Sequence, residues 1–333
     1  MASTKIRLIM TSFADALVSL GRHVRDRIRR GFLTGPDRMS RPEAQGVGDL
    51  QYSLDVLGED GLIEETRRLF GGGGPLRLLS EGLPAEGEIV FAGEGGHLLV
   101  VDPVDGTRGL MHDKRSAFFL AGIAPDGPAP RLRAVRHACL VEIPTSRSLL
   151  SDVLVVSPER GLQAWTEDLG AGTRVPLVPT PSGNADLDHG FATIARFFGG
   201  AGAAMGTFHD AFLERVFPGD PDAWMGVFED QYICNGGQMH ALVTGRDRFV
   251  ADLRPLFERT DGGRLMCSHP YDVLALPIAE AAGVVVTGAD GAPLDVPLDL
   301  STDVAWIGYA SEALRHAVEP RLQEALRACG HLP

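Results

Sequence analysis

The stretch VVDPVDGTRGL, residues 100–110, decides both the expected fold and the expected site. An apolar run ends at Asp102, a proline follows, and Asp105 stands directly before Gly106 and Thr107. Because the proline holds the residue before it extended and cannot donate to a strand ladder, a strand is predicted to end here. The chain is then predicted to turn into a short helical segment with outward-pointing amides. Two carboxylates beside such amides form a place for a divalent cation and a phosphate together.

Three other motifs do not fit this spacing. A calcium-binding EF-hand loop has acidic residues at every second position, whereas the two aspartates here are three positions apart. A haloacid-dehalogenase-type phosphatase requires D-x-D-G-T, which is one residue shorter, and the G-x-x-x-x-G-K of a P-loop is absent. A structural alternative is an Asp-Pro turn followed by an N-capping aspartate, which D-P alone would favour. A strand followed by D-P-x-D-G-T favours the metal and phosphate site.

Length, composition and charge limit the classes of protein to which the chain can belong. With 333 residues, of which 44% are hydrophobic, the chain is expected to form one large or two modest globular domains. No apolar run approaches the ~20 residues that span a bilayer, and the N-terminus has helical rather than signal-peptide spacing. We therefore expect a cytoplasmic protein without a membrane partner. The net charge of −13 argues against a nucleic-acid partner. Four scattered cysteines without a CxxC indicate a reducing compartment.

The apolar periodicity predicts helices alternating with groups of antiparallel strands. Helices are predicted over 8–30 and 49–70, near 207–217, 236–246 and 271–282, and over 311–329. Strands are predicted over 76–80, 117–124, 133–143, 149–157, 249–253, 283–287 and 304–310, and residues 88–102 are predicted to form a hairpin that turns at 93–96.

The run VVDPVDGT resembles the signature of the inositol monophosphatase superfamily, the lithium-sensitive, Mg²⁺-dependent phosphomonoesterases. Three further blocks resemble its other motifs, in family order: GDLQYSLDVLGEDGLIE (48–64), LRLLSEG (76–82) and HPYDVLALPIAEAAGVVVTGADGAPLD (269–295). The resemblance covers roughly residues 8–310.

The sequence departs from the family pattern at three places. Gly82 stands for the second glutamate of an E-E pair, and Tyr271 stands for a tryptophan. The family's lysine ahead of the D-L block has no clear counterpart. None of these departures removes an expected metal ligand, so we expect activity.

The resemblance implies an α/β fold of the layered α+β kind, an alternating α-β-α-β-α sandwich in two halves. Residues 1–180 would form a metal-binding α+β half. Residues 181–333 would form an α/β half that completes the metal site and the substrate pocket. A homodimer is the common form of the family.

The resemblance also implies a role for each site residue. A first Mg²⁺ would be held by Glu81, Asp102 and the carbonyl of Val104. A second would be held by Asp102, Asp105 and Asp272, and a third, looser ion would sit near Glu81.

The remaining implied roles concern the attacking water and the phosphate. Thr107 and Asp55 would orient and deprotonate the water, and the amides of Gly106 and Thr107 would bind phosphate oxygens.

The residues after the signature bear on the substrate. TRGL is more similar to the D-G-T-K-G-F run of bisphosphate nucleotidases than to the D-G-T-x-N-F of inositol monophosphatases. Candidate substrate contacts are Arg108, Asn235 and Gln238, with His209 and Asp210 as further sugar contacts and Lys114 and Arg115 beside Arg108 for a second anionic group. We expect Mg²⁺-dependent hydrolysis of a phosphate monoester of a small sugar, cyclitol or nucleoside. A 3′(2′),5′-bisphosphate nucleotidase and a non-catalytic phosphate-ester-binding protein are the alternatives.

Overall fold

The computed structural model describes residues 12–34, 39–45, 50–71, 74–83, 88–91 and 96–332. The helices in these ranges are α1 (Phe13–Thr34), α2 (Ser53–Phe70), α3 (Thr107–Met111), α4 (Gly202–Val216), α5 (Pro221–Trp224), α6 (Asn235–Val243), α7 (Leu276–Ala281) and α8 (Glu312–Ala328). Single 3-10 turns span Leu132–Ala134, Arg254–Leu256 and Pro270–Val273.

The strands of these described ranges form three sheets. They are β1 (Pro42–Gln45), β2 (Leu50–Tyr52), β3 (Leu76–Ser80), β4 (Glu88–Phe91), β5 (His97–Asp105), β6 (Ala117–Pro125), β7 (His137–Ile143), β8 (Leu150–Ser157), β9 (Gly161–Asp168), β10 (Thr173–Pro176), β11 (Gly190–Ile194), β12 (Val227–Phe228), β13 (Asp247–Asp252), β14 (Val285–Thr287) and β15 (Trp306–Tyr309). The large sheet has the order β10-β9-β8-β7-β6-β5-β3-β4, and only β3 and β5 run parallel in it. The second sheet has the order β12-β11-β13-β15-β14, and β1 pairs with β2 alone.

Alternating side chains of the two larger sheets build five layers. In β5, Leu99 and Val101 pack with α1 and α2, whereas Leu98 and Val100 face a core that contains α6 and α7. In β13, Val250 faces that same middle core, while Phe249 and Ala251 pack with α4 and α8. Since successive strand residues point to opposite faces, each sheet is covered on both sides. The order of layers is therefore α-β-α-β-α, and the predicted fold is confirmed.

Two predicted elements near the N-terminus are wrong in detail. Residues 50–52 form a strand that pairs with 42–45, so the helix predicted from residue 49 begins at Ser53. The expected hairpin over 88–102 does not form. β5 instead lies between β3 and β6, and β4 pairs with the far side of β3. The apolar run of β5 is buried on both faces and needs a strand on each side, whereas the half-exposed β4 suits an edge. The turn predicted over 93–96 lies mostly outside the described residues.

The predicted helix near 271–282 is split into a 3-10 turn and α7. Pro277 occupies the first turn of α7, where its missing N–H costs nothing, but it cannot continue the preceding turn. Strands β9 to β12 have no counterpart in the predicted elements. Among the described residues, no helix is long and apolar enough to cross a membrane.

Candidate functional site

An extra residue in β5 brings two aspartates to one face of the large sheet. Asp102 pairs with Leu120 and Asp105 pairs with Phe118, so three steps along β5 match two steps along β6. In a regular strand, residues three apart point to opposite faces. The bulge therefore turns both carboxylates toward the middle core, on the side of Phe118 and Leu120.

A third aspartate joins them from the second half of the chain. One ligand oxygen each of Asp102, Asp105 and Asp272 lies within 4.8 Å of the other two. Asp272 ends the first turn of a 3-10 segment, and its carboxylate accepts the N–H of His269 at 2.6 Å. Glu81 lines the same cavity, because the parallel pairing of β3 with β5 sets the end of β3 beside Asp102.

The electrostatics of this aspartate cluster favour a cation. Burial raises the pKa of Asp102 well above its usual value, and the charges of Asp105, Asp272 and Glu81 raise it further. Burial also raises the pKa of Asp105 and of Asp272. A divalent ion among these carboxylates would remove the repulsion, and a donor set made only of oxygen suits Mg²⁺. The residues present therefore fit a magnesium site.

Thr107 connects the bulge to α2. Its Oγ1 lies 2.8 Å from Oδ1 of Asp55 and 2.9 Å from the carbonyl oxygen of Val104, so the single hydroxyl hydrogen has two acceptors within reach. The other oxygen of Asp55 accepts the N–H of Tyr52 at 2.8 Å. This contact fixes the carboxylate beside the hydroxyl, a pairing suited to orienting and deprotonating a water.

Glycines allow α6 to approach the cluster. The N–H of Gly236 donates a hydrogen bond to Asp105, and a Cβ on Gly236 would lie 3.1 Å from the same carboxylate oxygen. Gly106 has a φ of 97°, which favours glycine, and a Cβ there would lie 3.0 Å from Sγ of Cys234. The sequence reasoning missed the role of Gly236, although the N-G-G run at 235–237 is the kind of pattern that permits a close backbone approach.

Part of the cavity lining is aromatic and cationic. The Arg254 guanidinium is buried, donates to Asp252 at 2.5 Å, and has its Cζ 4.6 Å from the ring centre of Phe197. It lies 5.3 Å from the ring centre of Phe198, and Arg108 lies 5.2 Å from the same ring. Sequence reasoning did not single out Arg254 or the phenylalanines, because nothing local marks residues that meet only in the fold.

Only some of the predicted substrate contacts line the cavity. Arg108 and Asn235 line the cavity, but the amide oxygen of Asn235 accepts hydrogen bonds from Trp306 at 2.9 Å and Ser268 at 3.0 Å. Gln238 does not line the cavity; it is 2% exposed, and its amide donates to the carbonyl of Tyr232.

The remaining candidates also lie outside the cavity lining. Nε2 of His209, next to Asp210, is 3.3 Å from Glu229. Arg115 pairs with Asp230, and Lys114 is exposed.

Comparisons with known proteins give similarity in structure only. No protein-family model matches the chain, and no curated protein matches it in sequence. Three solved structures with 15% sequence identity superpose over nearly the whole chain. Fructose-1,6-bisphosphatase of Leishmania major in holo form has a TM-score of 0.65, with 92% of each chain covered.

The other two are a hypothetical Pyrococcus horikoshii protein with similarities to inositol-1 monophosphatase and the extragenic suppressor protein SuhB of Bartonella henselae. Their TM-scores are 0.59 and 0.58, with 92% and 93% of this chain covered and 95% and 97% of theirs. The chain therefore shares its fold with these three proteins, and this is the fold that the sequence resemblance predicts.

Proposed function

We propose that the protein is a Mg²⁺-dependent phosphatase that hydrolyses a phosphate monoester of a small sugar, cyclitol or nucleoside. The observation that carries this proposal is the convergence of Asp102, Asp105 and Asp272, whose oxygens lie within 4.8 Å of one another. Two of these residues belong to the same D-P-V-D-G-T run that also provides Gly106 and Thr107. Metal ligands and phosphate donors thus share one short segment.

The residues divide into two metal-binding sets in this proposal. Glu81 and Asp102, with the carbonyl of Val104, hold one Mg²⁺, and Asp102, Asp105 and Asp272 hold the second. A third ion is held near Glu81. When bound, these ions supply a Lewis acid for the phosphoryl oxygen and lower the pKa of a water.

The chain's own groups orient the reactants and move the proton. The Thr107 hydroxyl, held 2.8 Å from Asp55, orients the attacking water, and Asp55 accepts its proton. The amides of Gly106 and Thr107 donate to phosphate oxygens, and this donation strengthens as negative charge develops there. The water attacks in line, and the protein forms no covalent bond to phosphorus.

The aromatic and cationic part of the cavity lining bears on the rest of the substrate. Phe197 and Phe198 offer two half-buried phenyl rings to the cavity, and Arg108 adds a cation beside Phe198. Rings of this kind stack on a planar base. A 3′(2′),5′-bisphosphate nucleoside is therefore the second candidate, with Arg108 against its remaining phosphate. Asn235, held by Trp306 and Ser268, contributes its amide nitrogen. We give Gln238 no contact to the substrate.

Further features of the proposal rest on the composition of the chain and on the resemblance. The partner is a small phosphorylated metabolite, neither a nucleic acid nor a membrane, and the enzyme works in the cytoplasm as a homodimer. Lithium inhibits by replacing one Mg²⁺.

The decisive experiment measures phosphate release with and without Mg²⁺ from inositol 1-phosphate, 3′-phosphoadenosine 5′-phosphate and fructose 1,6-bisphosphate. We expect Mg²⁺-dependent release and a clear preference for one of the three. Release from 3′-phosphoadenosine 5′-phosphate alone would support the second candidate.

A non-catalytic protein that binds phosphate esters is the competing class. It would bind the same compounds in calorimetry but release no phosphate from any of them at any Mg²⁺ concentration, and that result would overturn the phosphatase proposal.

A further inference from the structure

A groove lined by arginines lies away from the acidic cavity, between α1 and the strands β9 and β10. It has a volume of about 690 Å³. Among the described residues, five guanidinium groups line it against the carboxylates of Asp26, Glu167 and Asp168. The five are Arg22, Arg25, Arg29, Arg30 and Arg174. In a chain with a net charge of −13, this concentration of positive charge is a local exception.

Two of the arginines share one carboxylate. Arg25 is 3% exposed and donates to Glu167 at 2.8 Å and to Ser151 at 3.0 Å. Arg22 donates to the other oxygen of Glu167. Arg25 also donates to Asp26 at 2.9 Å, so Glu167 and Asp26 together balance these two guanidinium groups. The excess positive charge of the groove therefore lies on Arg29, Arg30 and Arg174, against the one remaining carboxylate, Asp168.

An indole ring lies close to two of the groove's cations. The Cζ atoms of Arg22 and Arg174 lie 5.7 Å and 5.4 Å from the ring centre of Trp165. The indole N–H donates to Glu167 at 2.8 Å, so the ring is fixed beside the groove. The fluorescence of Trp165 is therefore expected to respond to changes at these arginines.

Backbone carbonyl oxygens hold the guanidinium of Arg29 at the groove. One of its terminal nitrogens lies 3.1–3.2 Å from the carbonyl oxygens of Pro144, Thr145 and Ser148. Burial, and then the positive charge of Arg25, lower the pKa of Arg29. Carbonyl dipoles, rather than a full counter-charge, hold this guanidinium at the groove.

We propose that this arginine groove is a binding site for a small polyanion of the di- or triphosphate class. Arginine forks match phosphate oxygens in pairs, and several forks facing one groove suit a ligand with more than one phosphate. The volume falls within the range of small-molecule sites, about 300–1,000 Å³. The strongly negative net charge disfavours a nucleic-acid polymer as the occupant.

Hydrogen bonds connect the groove to α3, the helix that follows the phosphate-binding amides of Gly106 and Thr107 in the proposed function. Ser146 lines the groove, and both its N–H and its hydroxyl donate to Asp113 at 2.7 Å. The N–H of Asp113 in turn donates to the carbonyl oxygen of Leu110, near the end of α3, and Thr107 is the first residue of that helix. An anion that restrains the 144–148 loop is therefore expected to restrain α3 as well.

The test titrates the full chain with inorganic triphosphate in metal-free buffer, by calorimetry and by tryptophan fluorescence. Without Mg²⁺ the acidic cavity repels an anion, so the titration reports the groove and does not depend on whether the protein is a phosphatase. We expect one saturable site and a fluorescence change that the Trp165→Phe variant abolishes.

The critical variant is the pair Arg30→Gln and Arg174→Gln, whose side chains are exposed, so the fold is expected to persist and circular dichroism checks it. We expect its dissociation constant to rise about tenfold or more, because two charge-assisted contacts are lost. The matched control, Arg321→Gln with Arg327→Gln on α8, removes the same net charge elsewhere and is expected to bind as the native chain does.

Hydrogen exchange supplies the second measurement. Triphosphate is expected to slow exchange of the amides over 108–113 in the native chain but not in the Arg30 and Arg174 variant. Absence of saturable binding up to about 10 mM triphosphate would overturn the proposal. So would equal weakening in the control pair, or tighter binding of a short single-stranded RNA at the same arginines.

Discussion

The acidic cavity brings negatively charged side chains close together, whereas the arginine groove brings positively charged side chains close together. In the cavity, Asp102, Asp105 and Asp272 converge within 4.8 Å, and burial raises the pKa of each. In the groove, Arg22 and Arg25 share Glu167, whose pKa is lowered by its hydrogen bonds from Arg22, Trp165 and Arg25 even though burial acts against them. A carboxylate therefore destabilises the metal-free fold in the cavity and stabilises the fold in the groove.

The largest expected effect is on turnover in the acidic cavity. Asp102 belongs to both proposed metal sets, so Asp102→Asn removes a charge that two ions need. We expect kcat to fall by about 10³-fold or more, with the fold intact by circular dichroism. Phosphate release under saturating Mg²⁺ is the measurement.

Asp222→Asn is the control for this change, because it removes an exposed carboxylate outside the cavity lining. Its rate is expected to equal that of the native chain. Retained activity in Asp102→Asn would mean that the metal assignment is wrong.

A change in the arginine groove is expected to have the next largest effect, on stability. Glu167→Gln leaves Arg25, which is 3% exposed, without its buried counter-charge. Breaking such a pair costs about 3 kcal/mol. Because hydrogen bonds lower the pKa of Glu167, its contribution is present above the unfolded-state pKa and is lost as the pH falls through the lower folded-state value.

Urea unfolding at neutral pH measures this loss for Glu167→Gln. Glu64→Gln, at a carboxylate whose side chain is 73% exposed, is the matched control and is expected to change little. Equal stability of the two variants would show that Glu167 does not neutralise the groove.

Removal of the Thr107 hydroxyl, which lies between α2 and the bulge, is expected to have an effect of intermediate size on kcat. Thr107→Val keeps the shape of the side chain but removes the hydroxyl that lies 2.8 Å from Asp55. We expect kcat to fall about 10²-fold, with KM nearly unchanged, since the hydroxyl acts on the attacking water. Steady-state kinetics separate the two constants. Thr107→Ser restores the hydroxyl and is expected to recover most of the rate; failure to do so would argue against the role.

The smallest expected effect is a gain in the stability of the metal-free protein, whereas Glu167→Gln is expected to reduce stability. Asp272→Asn removes a like charge from the aspartate cluster while the amide oxygen still accepts the N–H of His269. We expect the metal-free protein to gain about 1 kcal/mol at neutral pH, because the native carboxylate has a raised pKa in the folded state.

The pH and metal dependence of Asp272→Asn sharpen this test. The gain should vanish as the pH falls below the unfolded-state pKa, where the carboxyl group of the native chain is protonated in both the folded and the unfolded state. Added Mg²⁺ should raise the melting temperature of the native chain more than that of the variant. Destabilisation of the metal-free variant would contradict repulsion within the cluster.

Much of the candidate site could be predicted from the sequence because its residues share a short run. Asp102 to Thr107 lie within six positions, so their spacing alone indicates the two carboxylates and the amides behind them. The strand end predicted at Asp102 is wrong, because β5 continues to Asp105 through a bulge that leaves Pro103 without a paired residue on β6. The bulge that turns both carboxylates to one face was not predicted, because it depends on the register with Phe118 and Leu120. Strand pairing is a long-range property, and the failed hairpin of β4 and β5 has the same cause.

The resemblance to a known superfamily implied the fold class, and the residues themselves indicated the order of most main helices and strands and the oxygen-rich chemistry of the D-P-V-D-G-T run. These features depend on period, on local backbone restriction and on neighbours a few residues apart. The resemblance implied that Asp272 joins Asp102, whereas the contact of Arg254 with Phe197 and the five arginines around one groove emerged only from the tertiary structure. Such meetings depend on layers packed through long-range contacts, and no local pattern specifies which side chains then face the same cavity.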